Sequence, residues 1–406
     1  MKKLVLFGAG KIGRSFIGQL FSRSGYEVVF VDINETVIHE LNEKHRYKVV
    51  IKSDSEETIW VENVRGVMGS DKNSVISELR TADVAAVSVG QKGLTHIIPV
   101  IAQAIEKRAA AAFKPLDIII AENMRNADQF IKDELKKFLP AGFAIETAVG
   151  LVETSIGKMV PIMLREEEEK DVLQVFAEPY NTLIVDKKGF KNPLPEVKGM
   201  EPKENMKAWV DRKSFIHNFG HAAVSYTGFL YDSRFIYLYE ALAINDIKLF
   251  TRAAMMEAGA ILMKKYPGEF TPEHITHHVD DLLKRFENKA LGDTIYRVGC
   301  DLPRKLSRND RVVGLLMEGV SSGMPVDRIL FVLSCGFRFR AKNEQNALFP
   351  ADAEFVATLE NKGIDSMMTT VCEIPVSMKE IRGKTADWYI KINNTFKEQI
   401  KSLLLV

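Results

Sequence analysis

The sequence predicts an α/β protein in two parts, a doubly wound parallel-sheet domain followed by a mostly α-helical one. Three observations carry this reading: short β-branched runs alternating with helical stretches in the first half, a glycine-rich turn after the first run, and helical periodicity throughout the second half. Leu4–Phe7, Val28–Val31, Val84–Val89 and Ile118–Ala121 are continuous apolar runs, as expected of parallel strands covered on both faces. Between them Gly13–Ser24, Glu35–Lys44, Gly93–Lys107 and Ala127–Phe138 space their apolar residues as helices do. Val172–Val185 has room for two or three further strands, and the four glutamates at 166–169 read as a solvated loop. The proline-containing segment Asn192 to Pro202 is the expected linker, giving domains of residues 1–195 and 196–406. Helices follow over Asn205–Thr227, Phe235–Lys265, His274–Arg285, Asp310–Ser321, Pro325–Ser334, Asp352–Asn361 and Thr385–Leu404.

Composition narrows the function. With 46% hydrophobic residues in 406, the chain can bury real cores, which excludes disorder as its main state. Fifty-five Lys plus Arg against 54 Asp plus Glu leave a net charge of +1, which argues against nucleic acid or an anionic membrane as partner. Cys300, Cys335 and Cys372 are too few and too scattered for a disulfide framework, so a cytoplasmic location is expected. No apolar run is long enough for a membrane span.

The turn Gly8-Ala9-Gly10-Lys11-Ile12-Gly13 fits G-x-G-x-x-G between a predicted strand and a predicted helix, the context in which that pattern binds a dinucleotide. Gly8 serves the tight turn, Gly10 the approach of a pyrophosphate, and Gly13 close packing of helix on strand. Asp32 ends the next apolar run, placed to accept hydrogen bonds from ribose hydroxyls and to repel a 2′-phosphate, so the expected cofactor is NAD and the domain is Rossmann-like. Ser88 and Gly90 at one strand end, and Glu122 and Asn123 at another, are expected to line the same crevice.

In the second half, Lys213, His217, Asn218 and His221 share one broad arc of a predicted helix. At ~100° per residue they fall at about 0°, 40°, 140° and 80°. Such an arc is either a site or an ordinary polar face. His217 reads as a core histidine and stays outside the expected site. His274, His277 and His278 lack a carboxylate or cysteine to complete a metal set and read as a solvated face. Arg297, Arg304, Lys305, Arg308 and Arg311 concentrate cations suited to a phosphate, or form a basic loop paired with helix carbonyls.

Lys213-xxxx-Asn218-xx-His221 resembles the K-x-x-x-x-N-x-x-H signature of the polyol-specific long-chain dehydrogenases, the mannitol dehydrogenase family. The resemblance runs on through Phe7 to Arg14, Ala121-Glu122-Asn123-Met124, Arg285-Phe286-Glu287-Asn288, Arg297-Val298-Gly299, and Arg304-Lys305-Leu306-Ser307 with Asp310-Arg311. It implies an NAD-dependent, metal-independent oxidoreductase. Lys213 would act as general base, and Asn218 and His221 would hold the reacting oxygen and stabilise its charge, in a cleft between the domains. It also implies a phosphorylated substrate, D-mannitol 1-phosphate interconverted with D-fructose 6-phosphate, with Arg304 and Lys305 facing the phosphate, Asn123 a substrate hydroxyl or the nicotinamide ribose, and a monomeric enzyme. One departure stands out. Where the family reads Val-Asp-Arg-Ile-Val-Pro, this chain has Ile156-Gly157-Lys158-Met159-Val160-Pro161, losing an acid and exchanging an arginine for lysine. That keeps open a non-phosphorylated polyol or a hexuronate (tagaturonate or fructuronate) as substrate. A non-enzymatic NAD-binding regulator is the other alternative, against which the intact Lys213, Asn218 and His221 argue.

Overall fold

The computed structural model describes residues 1–53, 55–163 and 165–405. Contacts divide the chain into two units, Met1–Val210 and Asp211–Val406. The division falls later than the expected 195/196 boundary, because the proline-containing segment is not a linker. Its backbone N–H groups at Lys191 and Asn192, with the Asn192 side-chain amide, donate to the buried Asp117 carboxylate at 2.8–3.1 Å. The chain then continues into a further strand at Met200–Lys203.

The strands of the first unit are β1 (Lys2–Phe7), β2 (Tyr26–Asp32), β3 (Arg46–Lys52), β4 (Glu56–Glu62), β5 (Val64–Met68), β6 (Val84–Val87), β7 (Leu116–Ile120), β8 (Val149–Ser155), β9 (Val175–Ala177), β10 (Leu183–Asp186) and β11 (Met200–Lys203). The main sheet runs β11-β10-β8-β7-β6-β1-β2-β5. It is parallel apart from the β10–β8 pairing, as the alternation of apolar runs and helices predicts. Because β1 lies between β2 and β6, the strand order reverses there and opens a crevice beyond the carboxyl ends of β1 and β6. Apolar side chains cover both faces of the sheet, Leu4 and Leu6 facing one core, Val5 and Phe7 the other.

A second sheet, β4-β3-β9, was not among the sequence expectations. Its strands β3 and β9 are far apart in the chain, and no local pattern announces their pairing. The glutamates at 166–169 form a short helix, Arg165–Lys170, not a loop. Acidic residues in its first turn complement the positive end of the helix dipole.

The second unit is helical. Its central helix, Phe219–Tyr231, is buried along most of its length. Gly220 and Gly228 let neighbours close in, since a Cβ there would lie within 2.7 Å of Met255 and 2.6 Å of Ala241 respectively. The expected helix Phe235–Lys265 is two, Leu238–Leu242 and Asn245–Lys265. Tyr237, ahead of the first, is bridged to Thr294. Among the described residues no helix is long and apolar enough to cross a membrane.

Replacing Asp117 with alanine strands three donors in a buried place. We expect Asp117→Ala to lower unfolding free energy by about 2–4 kcal/mol, read as a lower urea midpoint at an unchanged m-value. An unmoved midpoint would show that the segment is not anchored there.

Candidate active site

In the first unit the glycines have distinct tasks. Gly8 has φ +97°, and a Cβ on it would lie 2.1 Å from the Ser88 carbonyl oxygen. A Cβ on Gly13 would lie 2.0 Å from the Gly8 carbonyl oxygen, so helix and turn meet there without room for a side chain. A Cβ on Gly10 would meet nothing within 4 Å. The turn is closed behind and open in front, as backbone that admits a pyrophosphate must be. Asp32 Oδ2 accepts from the Ala9 N–H at 2.7 Å and Oδ1 from the Asn34 N–H at 3.0 Å, fixing the carboxylate at the end of β2. A cavity of about 570 Å³ is lined by Gly8, Gly10, Asp32, Ile33 and Ser88, with Val31, Val75, Val89, Ile97 and Val100 as apolar wall. This combination of polar edge and apolar wall suits an adenosine.

The other expected residues of this half take different places. Lys11 is exposed and pairs with Glu168 at 2.9 Å, while Ile12 packs against the core. Glu122 is buried and accepts from the N–H groups of Val89 and Gly90 at 2.7 and 3.0 Å, so it shapes the loop after β6. Burial raises its carboxyl above the usual range, and those two hydrogen bonds oppose the shift. Gly90, at φ +75°, starts the helix Gln91–Ala110, and Asn123 is exposed.

In the second unit the expected catalytic helix departs from α geometry. Lys213–Asn218 is a π-helical segment between the α-helices Met206–Arg212 and Phe219–Tyr231, with the Phe219 N–H reaching the Ser214 carbonyl. An i→i+5 turn takes in one extra residue, which sets the downstream helix back by roughly one residue's rotation, ~100°. Asn218 and His221 then fall at about 40° and −20° from Lys213, a much narrower face than a regular helix would give. Single π turns recur at functional sites.

Lys213 is half-buried. Burial first, then the Arg311 guanidinium, push its ammonium down to about 8, against the pull of Asp310. Arg311 is itself buried and donates to Asp310 at 2.7 Å. His221 stacks on Phe286, ring centroids 3.9 Å apart at 27°, and His217 meets both rings edge-on or tilted at 5.0 and 5.6 Å. Burial, with Arg297, Arg311 and Arg285 near, lowers His221 well below the usual imidazole range. The Asp293 carboxylate lies 3.8 Å from its Nε2. His217 is buried, as a core histidine should be, and Asn218 is half-buried beside it.

The remaining cations are mostly committed. Arg304 pairs with Asp301 at 2.5 Å and Asp310 at 3.2 Å, keeping half of its side chain exposed. Lys305 is buried, donates to the Val298 carbonyl at 2.6 Å, and burial holds it down to about 8. Arg308 donates to the Glu373 carbonyl at 3.0 Å. His274 and His277 are exposed as expected, but His278 is not on a solvated face: it is half-buried with Nε2 enclosed. Sequence reasoning missed Asp293 in the site. Its spacing of four from Arg297, on what becomes a helix start, was the available signal.

A glycine-rich turn open in front on one unit, and a desolvated amine beside an amide and an imidazole on the other, fit an NAD(P)-dependent dehydrogenase. The chain belongs to the mannitol dehydrogenase family, whose members are NAD-dependent polyol dehydrogenases. Residues 2–199 match the mannitol dehydrogenase Rossmann domain and residues 205–376 the mannitol dehydrogenase C-terminal domain. It is 32% identical to a mannitol-1-phosphate 5-dehydrogenase of Brevibacillus brevis over 376 residues, 91% of this chain and 93% of that protein. Its fold is similar to that of a Pseudomonas fluorescens mannitol 2-dehydrogenase solved with NAD and D-mannitol, with TM-score 0.76 and 14% identity over 99% of this chain and 93% of that one. A D-sorbitol dehydrogenase solved without substrate gives TM-score 0.76 and 15% identity over 99% and 94%.

The open front of Gly10 generates a test. Gly10→Val should leave stability within about 0.5 kcal/mol while weakening dinucleotide binding at least about tenfold, measured by thermal unfolding and calorimetric titration. Undiminished binding would place the pyrophosphate elsewhere.

Proposed function

We propose that this chain interconverts D-mannitol 1-phosphate and D-fructose 6-phosphate with NAD, using Lys213 as general base. The observation that carries the mechanism is the half-buried Lys213, held near 8 on the same helical face as Asn218 and His221. The phosphorylated substrate rests on the 32% identity to a mannitol-1-phosphate 5-dehydrogenase over most of both chains.

Gly8, Ala9, Gly10, Lys11, Ile12 and Gly13 would hold the pyrophosphate, Asp32 the adenosine ribose, and Ser88, Gly90, Glu122 and Asn123 the loops around it. Asp32 favours NAD over NADP, because a 2′-phosphate would bring a second negative group to a carboxylate already fixed in place. The bound nicotinamide supplies hydride acceptance in one direction and hydride donation in the other. Everything else falls to the chain. A lysine with an ordinary pKa near ~10.4 would be almost wholly protonated at neutral pH, unable to accept a proton. At about 8, Lys213 is neutral often enough to take the alcohol proton and acidic enough to return it to the alkoxide. Asn218 and His221 hold the alcohol in register with the amine, and hydrogen-bond donors there stabilise charge as it develops. Among the cations, Arg304 keeps the exposure a phosphate contact requires, whereas Lys305 would have to leave the Val298 carbonyl. Three free cysteines fit a reducing cytoplasm.

A second reading, a non-phosphorylated polyol or hexuronate as substrate, is favoured by Gly157 and by the engagement of Arg304 with Asp301 and Asp310. Steady-state turnover of fructose 6-phosphate, fructose and tagaturonate with NADH separates the two. We expect fructose 6-phosphate to lead in kcat/KM by at least about a hundredfold, the scale of a lost charge-assisted contact. A preference for either competitor would transfer the assignment to it.

The pH dependence has a definite sign. A base must be deprotonated to act, so kcat/KM for polyol oxidation should rise through about pH 8 and ketose reduction should fall over the same interval. Lys213→Ala should remove at least about 10³ of kcat while leaving NAD affinity in fluorescence titration unchanged. A rate that survives the substitution would refute the assigned base.

A further inference from the structure

We propose that Asp293 is a positioning residue that fixes the ring of His221 by taking its Nε2–H, so that only Nδ1 is offered to substrate. The inference deepens the reading of His221 given above and rests on it.

The placement of Asp293 is built rather than incidental. The single turn Lys289–Leu291 ends at Gly292 with φ +65°, and Asp293 follows directly. Its carbonyl accepts the Leu238 N–H at 2.9 Å, and the next residue, Thr294, is bridged to Tyr237. Thr294 then caps the helix Ile295–Gly299. Backbone on both sides of Asp293 is thereby fixed. Its side chain is 5% exposed and lies 3.8 Å, Oδ2 to Nε2, from His221. That nitrogen is enclosed and makes no hydrogen bond with the described residues. Arg297, four residues on, pairs with Oδ1, which leaves Oδ2 for the imidazole. Phe286 stacked on one side and His217 at the ring edge leave His221 little freedom to rotate. A distance of 3.8 Å is too long for a hydrogen bond, but catalytic contacts in ligand-free enzymes commonly tighten when substrate arrives.

The consequence is chemical. An ionised carboxylate can only accept, so the neutral ring facing it carries its proton on Nε2 and a lone pair on Nδ1. Nδ1 then accepts a hydroxyl hydrogen of the polyol. Negative charge on the reacting oxygen is then met by the Asn218 amide N–H alone, which narrows the charge-stabilising role given above to the pair and leaves His221 to hold the alcohol. This divides labour between two residues that the family signature merely places side by side.

The ring nitrogens report the arrangement directly. In full-length protein labelled with ¹⁵N-histidine, with His221→Gln used to assign the signal, His221 should show the Nε2–H tautomer in the wild type and lose that preference in Asp293→Asn. Asp293→Asn should lower kcat for polyol oxidation at least about tenfold with the KM for NAD unchanged, and should cost nothing further in a His221→Gln background. An Nδ1–H tautomer in the wild type, an unaltered signal in Asp293→Asn, or equal losses in both backgrounds would overturn the proposal. If His221→Gln itself kept full activity, the catalytic reading of His221 would fail, while the tautomer measurement would still decide the role of Asp293. The wild-type spectrum alone decides it should the Asp293 variant not fold.

Discussion

The proposed chemistry depends on the cost of burying one amine. A lysine ammonium in water prefers its proton by more than three powers of ten at neutral pH, and no arrangement of neighbouring donors makes it a base until solvation is withdrawn. The second unit withdraws it by placing Lys213 on the helical run that enters the unit's core, and by setting the buried Arg311 nearby as a like charge. Arg311 can be buried only because Asp310, its immediate neighbour, takes its Nε–H and its backbone N–H. The acid that makes the arginine tolerable also acts on the lysine in the opposite sense, and burial decides the outcome.

The π turn that positions this amine has a counterpart in the first unit. Gly13–Gly18 is also π-helical, at the start of the helix that follows the glycine-rich turn. A widened turn leaves backbone carbonyls without their usual partners. One is answered from outside the helix, where the buried Tyr47 hydroxyl donates to the Arg14 carbonyl at 2.7 Å. Tyr47 belongs to β3, so the small β4-β3-β9 sheet is tied to the cofactor half as a brace for its first helix. Two glycines, Gly13 and Gly18, make the widening possible where neighbours press close: a Cβ on Gly18 would lie 2.6 Å from the Phe30 ring.

Features written in adjacent residues were legible. The glycine-rich turn, Asp32 at the end of its strand and the alternation that gives a parallel sheet all lie within a few turns of chain, and all appear where expected. So does the shared face of Lys213, Asn218 and His221, although for a partly different reason: a regular helix spreads them, and the π turn, which has no residue signature, gathers them. Features made by distant residues were not legible. Asp293 meets His221 only after the turn at Gly292 and the bridge from Thr294 to Tyr237 are in place. Arg304 and Lys305 look alike in sequence, yet tertiary packing leaves one exposed and buries the other on a carbonyl. The helix at 165–170 misled because a charge run suits both a loop and a first turn, and only its dipole distinguishes them.

The exchange at Gly157-Lys158 has a local structural account. Lys158 is buried, and its ammonium donates to the carbonyls of Glu178 and Tyr180 and to Asn181 Oδ1 at 2.7–3.2 Å, above the ring of Phe16. These are three acceptors converging on a point, which a compact ammonium satisfies and a planar guanidinium fork does not. The lysine is therefore bound up with the local path of residues 178–181 rather than being a weaker copy of an arginine. Tyr180 in turn brings its phenol against Gly157, where a Cβ would lie 3.4 Å from the hydroxyl oxygen. Loss of the acid and change of the base are thus coupled: the loop that Lys158 holds places an aromatic hydroxyl beside position 157.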